Sequence, residues 1–156
     1  MSEVRVSVPT AEAMERLGAR LAHGAGSRAY IALGGELGVG KTTLARGFLR
    51  AMGHAGVVKS PTYTIVESYR LGTRTVHHLD LYRVAKAEEL EYLGIWDYFV
   101  DESVKLVEWP ENGAGVLPQP DVMVTIQMAN TGREVSLRGL TCEGERALQR
   151  MAAREE

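Results

Sequence analysis

The stretch IALGGELGVGKTTLARGFL, Ile31 to Leu49, decides how the rest of the chain is read. It begins inside an apolar run, AYIAL from Ala29 to Leu33, that lacks the alternation of a half-buried strand. Such a run suits a strand covered on both faces, as in a parallel sheet. After the glycines, TTLARGFLRAMG reads as a helix ending at Gly53. Between strand and helix, Gly35, four residues and then Gly40-Lys41-Thr42 match the pattern G-x-x-x-x-G-K-[ST]. Each part has a physical task. The glycines let the backbone curl so that several N–H groups face one anion. The following helix aims its positive end at the same place. Lys41 adds a full charge for the β- and γ-phosphates, and the Thr42 hydroxyl is a hard oxygen ligand suited to Mg²⁺.

Working outward, VRVSV (Val4 to Val8) alternates as a half-buried strand does and ends at Pro9. Thr10 is placed to cap a helix carrying Met14, Leu17 and Leu21 at helical spacing, stopped by Gly24. TYTIVESYR and TRTVHHLDLYR read as two strands joined by a turn at Leu71 to Arg74. AKAEELEYLG reads as a short helix closed by Gly94. VKLVE (Val104 to Glu108) is a second buried strand, and WPENGAGVLPQP is a loop. DVMVTIQM and REVSLRG flank Asn130-Thr131-Gly132, a hairpin signal. From about residue 143 the chain is expected to be a polar tail forming a frayed helix. The whole, residues 1–156, reads as a single domain of α/β class: a P-loop NTPase-like three-layer sandwich with a mixed, partly parallel sheet.

Composition narrows the function classes. The chain has 156 residues, is 45% hydrophobic and carries a net charge of -2. With no positive excess, a surface that grips nucleic acid throughout is not expected. The single cysteine, Cys142, forms no internal disulfide, which fits a reducing compartment. No apolar run approaches the ~20 residues that span a bilayer, and the expected location is the cytoplasm, away from membrane.

A phosphate loop binds nucleotide but needs an acidic partner for Mg²⁺, usually at the end of a buried strand. Glu108 ends VKLVE and Asp80 ends TVHHLD. The segment SPTYT, Ser60 to Thr64, offers hydroxyls, Thr62 among them, placed as a switch loop places them near a γ-phosphate. His77-His78 beside Asp80 raises a transition-metal site, but neighbouring strand residues point to opposite faces and do not share one ion. Lys59, Arg70, Arg74 and Arg83 read as solvated charges rather than a strip for tRNA. Leu90, Leu93, Ile95, Trp96, Tyr98 and Phe99 read as core, with a partner-docking face as the alternative.

GELGVGKTTLARGFL, KSPTYTIVE, HHLDLYR, EELEYLGIWDYF and LVEWPENGAGVLP, in this order and at these intervals, resemble the bacterial TsaE (YjeE) family from about Gly34 to Pro118. The resemblance implies an Mg²⁺-dependent ATPase, weak alone and coupled to partners, needed to make threonylcarbamoyladenosine in tRNAs that read codons beginning with A. It implies that the chain binds the TsaB and TsaD proteins and resets that pair between turnovers, so that tRNA is met indirectly through the complex. Residue by residue, it lays the ATP phosphate loop on Gly35, Glu36, Gly38, Val39, Gly40, Lys41, Thr42 and Thr43. Thr42 and Glu108 become the metal pair, and Lys41, Asp80 and Glu108 the catalytic set. Trp109 resembles a position close to the nucleotide, and Thr10 and Arg133 positions bordering adenine or ribose. Glu36 and Val39 stand where Asp and Ala are common in the family, at places where only the backbone is needed.

Two alternatives use the same loop. A small-molecule kinase needs a lid that usually carries arginines, whereas Glu88 to Phe99 holds acids and apolar groups. An ATP-gated binding module would hydrolyse ATP only incidentally. A GTPase is disfavoured because NTGRE does not supply the guanine-reading N-K-x-D pattern.

Overall fold

The computed structural model describes residues 2–153. Seven strands form one mixed sheet in the order β1-β7-β6-β2-β5-β4-β3. They are β1 (Glu3–Val8), β2 (Ala29–Gly34), β3 (Val66–Leu71), β4 (Arg74–Asp80), β5 (Val104–Glu108), β6 (Val122–Met128) and β7 (Arg133–Gly139). Central β2 runs parallel to β5 and β6, and β4 runs parallel to β5. The outer pairs β1/β7, β6/β7 and β3/β4 are antiparallel.

Alternation along β2 explains its unbroken apolar sequence. Ile31 and Leu33 join one core with helices α1 (Ala11–Gly24), α2 (Lys41–Ala51) and α5 (Cys142–Ala153). Tyr30 and Ala32 join a second core with α3 (Glu89–Tyr92) and α4 (Trp96–Val100). The sheet is the middle of three layers, as the buried-strand reading requires.

α1 and α2 cross with almost no separation. A Cβ on Gly18 would lie 2.1 Å from the Leu44 carbonyl oxygen, and one on Gly47 would lie 2.0 Å from that of Glu15. Met14, from the same helix, reaches under the phosphate loop, 3.1 Å from where a Gly40 Cβ would stand. The loop is thus footed on a helix crossing that only glycine permits. Gly47→Ala is expected to cost about 2 kcal/mol, since overpacking outweighs the gain in helix propensity. A thermal melt should register this as a midpoint lower by roughly 4–8 °C.

Two local readings are corrected and one holds. The strand expected from Thr62 begins at Val66, because Pro61 to Thr64 turn and Ile65 adopts a positive φ of 70°. The short helix read in AKAEELEYLG is α3, closed at Gly94 with a φ of 68° as expected, and α4 follows it. The tail expected to fray from about residue 143 is helix α5, with Ala147, Leu148 and Met151 buried in the first core. The last three residues of that tail lie outside the described residues. Among the expected core residues, Leu90, Ile95 and Phe99 are buried, whereas Leu93 and Trp96 are exposed. Arg74 serves the fold, donating to the carbonyls of Ala25 and Gly26, and Arg83 lies over the Tyr63 ring. No helix among the described residues is long and apolar enough to cross a membrane.

Candidate functional site

The loop from Gly35 to Gly40 leaves the C-terminal end of β2, the edge where open α/β sheets place ligands. Gly35, Gly38 and Gly40 have φ of 142°, 80° and 119°. Side chains rarely adopt such values. A Cβ on Gly35 would also lie 2.6 Å from the Ile126 carbonyl oxygen, whereas the space above Gly38 is open. Val39 packs its buried side chain beneath the loop, and Glu36 is exposed and lines neither of the two clefts described next.

Two clefts flank the loop and share Gly38, Gly40 and Thr43. The first, of about 300 Å³, is lined by Lys41, Thr42, Thr62, Asp80, Glu108 and Trp109, together with Leu37, Ser60 and Tyr82. The second, of about 170 Å³, is lined by Thr10, Arg133, Met14 and Val39, among others. Thr10 caps α1, accepting from the Ala13 N–H at 3.1 Å. Arg133 donates through Nε to the Val39 carbonyl at 3.0 Å, which ties the β6–β7 hairpin to the loop. The structure therefore brings the polar candidates together in one cleft and sets Thr10 and Arg133 in the other.

In the first cleft every charge is held. Lys41 is buried; its Nζ donates to the Gly35 carbonyl and lies 3.5 Å from the centre of the Trp109 ring. Burial lowers the Lys41 ammonium below the usual lysine range, while Glu108, Glu111 and Asp80 pull it back up. Trp109 takes a left-handed backbone with φ 57° and packs against Tyr82 at 5.0 Å between ring centres. Thr42 Oγ1 lies 3.1 Å from both carboxylate oxygens of Glu108. Asp80 accepts from Ser60 and Thr62 through Oδ2 and from the Tyr82 N–H through Oδ1 at 2.9 Å. The parallel register of β4 and β5 sets Asp80 directly beside Glu108.

These residues fit a magnesium-bound nucleotide. A glycine cradle with an open side, a helix N-terminus and an ammonium suit phosphate. A hydroxyl hydrogen-bonded to a carboxylate is a hard oxygen pair for a small divalent cation.

Two contributors were not found in the sequence. His78 donates or accepts at 2.7 Å to Glu108 Oε2, and Tyr82 lends its N–H to Asp80 and its ring to Trp109. Alternation along β4 was the available signal, since His78 and Asp80 share a face. His77 points the other way: Ser68 lies 2.7 Å from its Nδ1 and Asp101 2.9 Å from its Nε2. Burial works to raise the Asp101 carboxyl, but Ser103, His77 and Lys105 outweigh it and hold it below the usual carboxylate range. The two histidines do not share a site, as the strand geometry requires.

The family model described as threonylcarbamoyl adenosine biosynthesis protein TsaE matches residues 8–135. The chain belongs to the TsaE family. The tRNA threonylcarbamoyladenosine biosynthesis protein TsaE of Haemophilus influenzae is 51% identical over 105 residues, which cover 67% of this chain and 66% of that protein. Its Bacillus subtilis counterpart is 39% identical over 99 residues, covering 64% of this chain and 61% of that protein. The chain thus matches just under two thirds of the length of these TsaE relatives. The crystal structure of Bacillus subtilis YdiB superposes with a TM-score of 0.87 at 26% identity, over 99% of this chain and 97% of that one. That likeness in fold takes in α5, beyond the residues that the family model matches.

Proposed function

We propose that this chain is a magnesium-dependent ATPase of tRNA threonylcarbamoyladenosine biosynthesis that binds the TsaB–TsaD pair and resets it between turnovers. One observation carries the reading: Lys41, the Thr42–Glu108 pair and Asp80 converge on one cleft at the end of a helix N-terminus. The loop N–H groups and Lys41 bind and orient the phosphates. Thr42 and Glu108 hold Mg²⁺, which when bound neutralises charge developing on the transferred phosphoryl group. Asp80, fixed by three donors, acts on the attacking water directly or through the metal pair. Because two of those donors come from the Ser60–Thr64 segment, a partner that moves the segment would change how Asp80 is held. That link supports coupling of turnover to partner binding.

Phosphate release from ATP, measured with the chain alone and with TsaB, TsaD and tRNA added, tests the proposal. Slow release alone and clear stimulation by the set are expected. Fast release without partners would replace the reading by a free ATPase, and ADP formed without phosphate release when a small-molecule acceptor is added would replace it by a kinase. Partner binding that follows nucleotide with no stimulated release would favour the ATP-gated module.

A further inference from the structure

His78 sits on β4 two residues before Asp80 and is fully buried. It does not line the cleft, so it has no route to substrate. Its Nε2 lies 2.7 Å from Glu108 Oε2, while its Nδ1 has no hydrogen-bond partner among the described residues. The two ways of placing the ring hydrogen are unequal. A hydrogen on Nδ1 would bury an unpaired donor and set the bare Nε2 lone pair against a carboxylate oxygen. A hydrogen on Nε2 makes a short bond to the carboxylate and leaves only an unpaired acceptor, which costs less. Nε2 is therefore the donor.

Glu108 is then held by two donors on different elements. The Thr42 hydroxyl meets it from the start of α2, and the His78 ring meets it from the neighbouring strand. The Thr42 hydroxyl is itself a candidate cation ligand and changes role when a cation arrives. His78 lies outside the cleft and keeps its bond. We infer that His78 is a positioning residue that fixes the Glu108 carboxylate for the cation before the cation is bound. The inference rests on reading Glu108 as a metal ligand. Groups that orient a metal ligand in this way typically change metal affinity by about 10–100-fold when removed.

The test uses fluorescent methylanthraniloyl-ADP, titrated onto the full chain in EDTA and then with increasing Mg²⁺. His78→Leu is expected to bind the nucleotide in EDTA as the unsubstituted chain does. Its half-saturating Mg²⁺ should rise about 10–100-fold. His78→Gln, whose amide nitrogen reaches the place of Nε2, should recover most of that loss. Nitrogen-15 spectra of the unsubstituted chain should show His78 protonated at Nε2 and bare at Nδ1, a readout that holds even if His78→Leu fails to fold. Unchanged Mg²⁺ dependence in His78→Leu, equal weakening with and without Mg²⁺, no recovery in His78→Gln, or an Nδ1–H ring would each overturn the inference. If the unsubstituted chain binds nucleotide without any effect of Mg²⁺, the metal reading of Glu108 falls first. If it responds to Mg²⁺ and His78→Leu responds identically, only the role of His78 falls.

Discussion

Lys41→Ala is expected to lower ATP turnover by roughly 10²–10³-fold, the loss typical when a preorganised charge on a transition-state oxygen is removed. The chain should stay folded. The ammonium is buried between the Gly35 carbonyl and the Trp109 ring, and burial is the largest influence on it, lowering its affinity for a proton. A lysine whose folded-state value is lowered opposes folding while charged in both states, and that opposition fades as pH rises through the lowered value towards the unfolded one. At neutral pH the substitution therefore removes an unfavourable burial along with one hydrogen bond and one ring contact. A melting midpoint near that of the unsubstituted chain, beside lost turnover, is the expected pair of results. Undiminished turnover would sink the assignment of Lys41.

What the sequence could carry follows how local each feature is. The phosphate loop was legible because its strand, glycines, lysine and helix follow one another without a break from Ala29 to Ala51. The three-layer architecture followed from β2, whose unbroken apolar run demands cover on both faces. The bond from Thr42 to Glu108 joins residues 66 apart, and only the parallel alignment of β2 and β5 brings them together. Glu108 was legible as a strand end, but its partners were not. In the sequence His78 stands beside His77 and reads as half of that pair, whereas the strand makes it half of a pair with Asp80. The fraying expected of α5 has a different cause. Glu143, Glu145, Arg146 and Arg150 make the segment polar on average, and the buried stripe of Ala147, Leu148 and Met151 is short. Its packing against α1 decides the outcome, as tertiary contact usually does for helices near a dozen residues.

Glu108→Ala is expected to separate nucleotide binding from turnover. Nucleotide should bind in EDTA as tightly as before or better, because a carboxylate beside the phosphates repels them. Turnover that depends on Mg²⁺ should fall by about 10²-fold or more, since the carboxylate of the metal pair is gone. The alanine has a second effect that must be kept apart. It leaves the buried His78 ring without its one hydrogen bond, at a cost of about 1–3 kcal/mol, and frees the Thr42 hydroxyl. Glu108→Gln distinguishes the two. The amide oxygen can still accept from His78, while the charge that attracts the cation is lost. Turnover in Glu108→Gln should therefore fall nearly as far as in the alanine variant, with the melting midpoint closer to that of the unsubstituted chain. Equal loss of binding and turnover in both variants, tracking a lowered midpoint, would mean that Glu108 holds β4, β5 and α2 together and does nothing further.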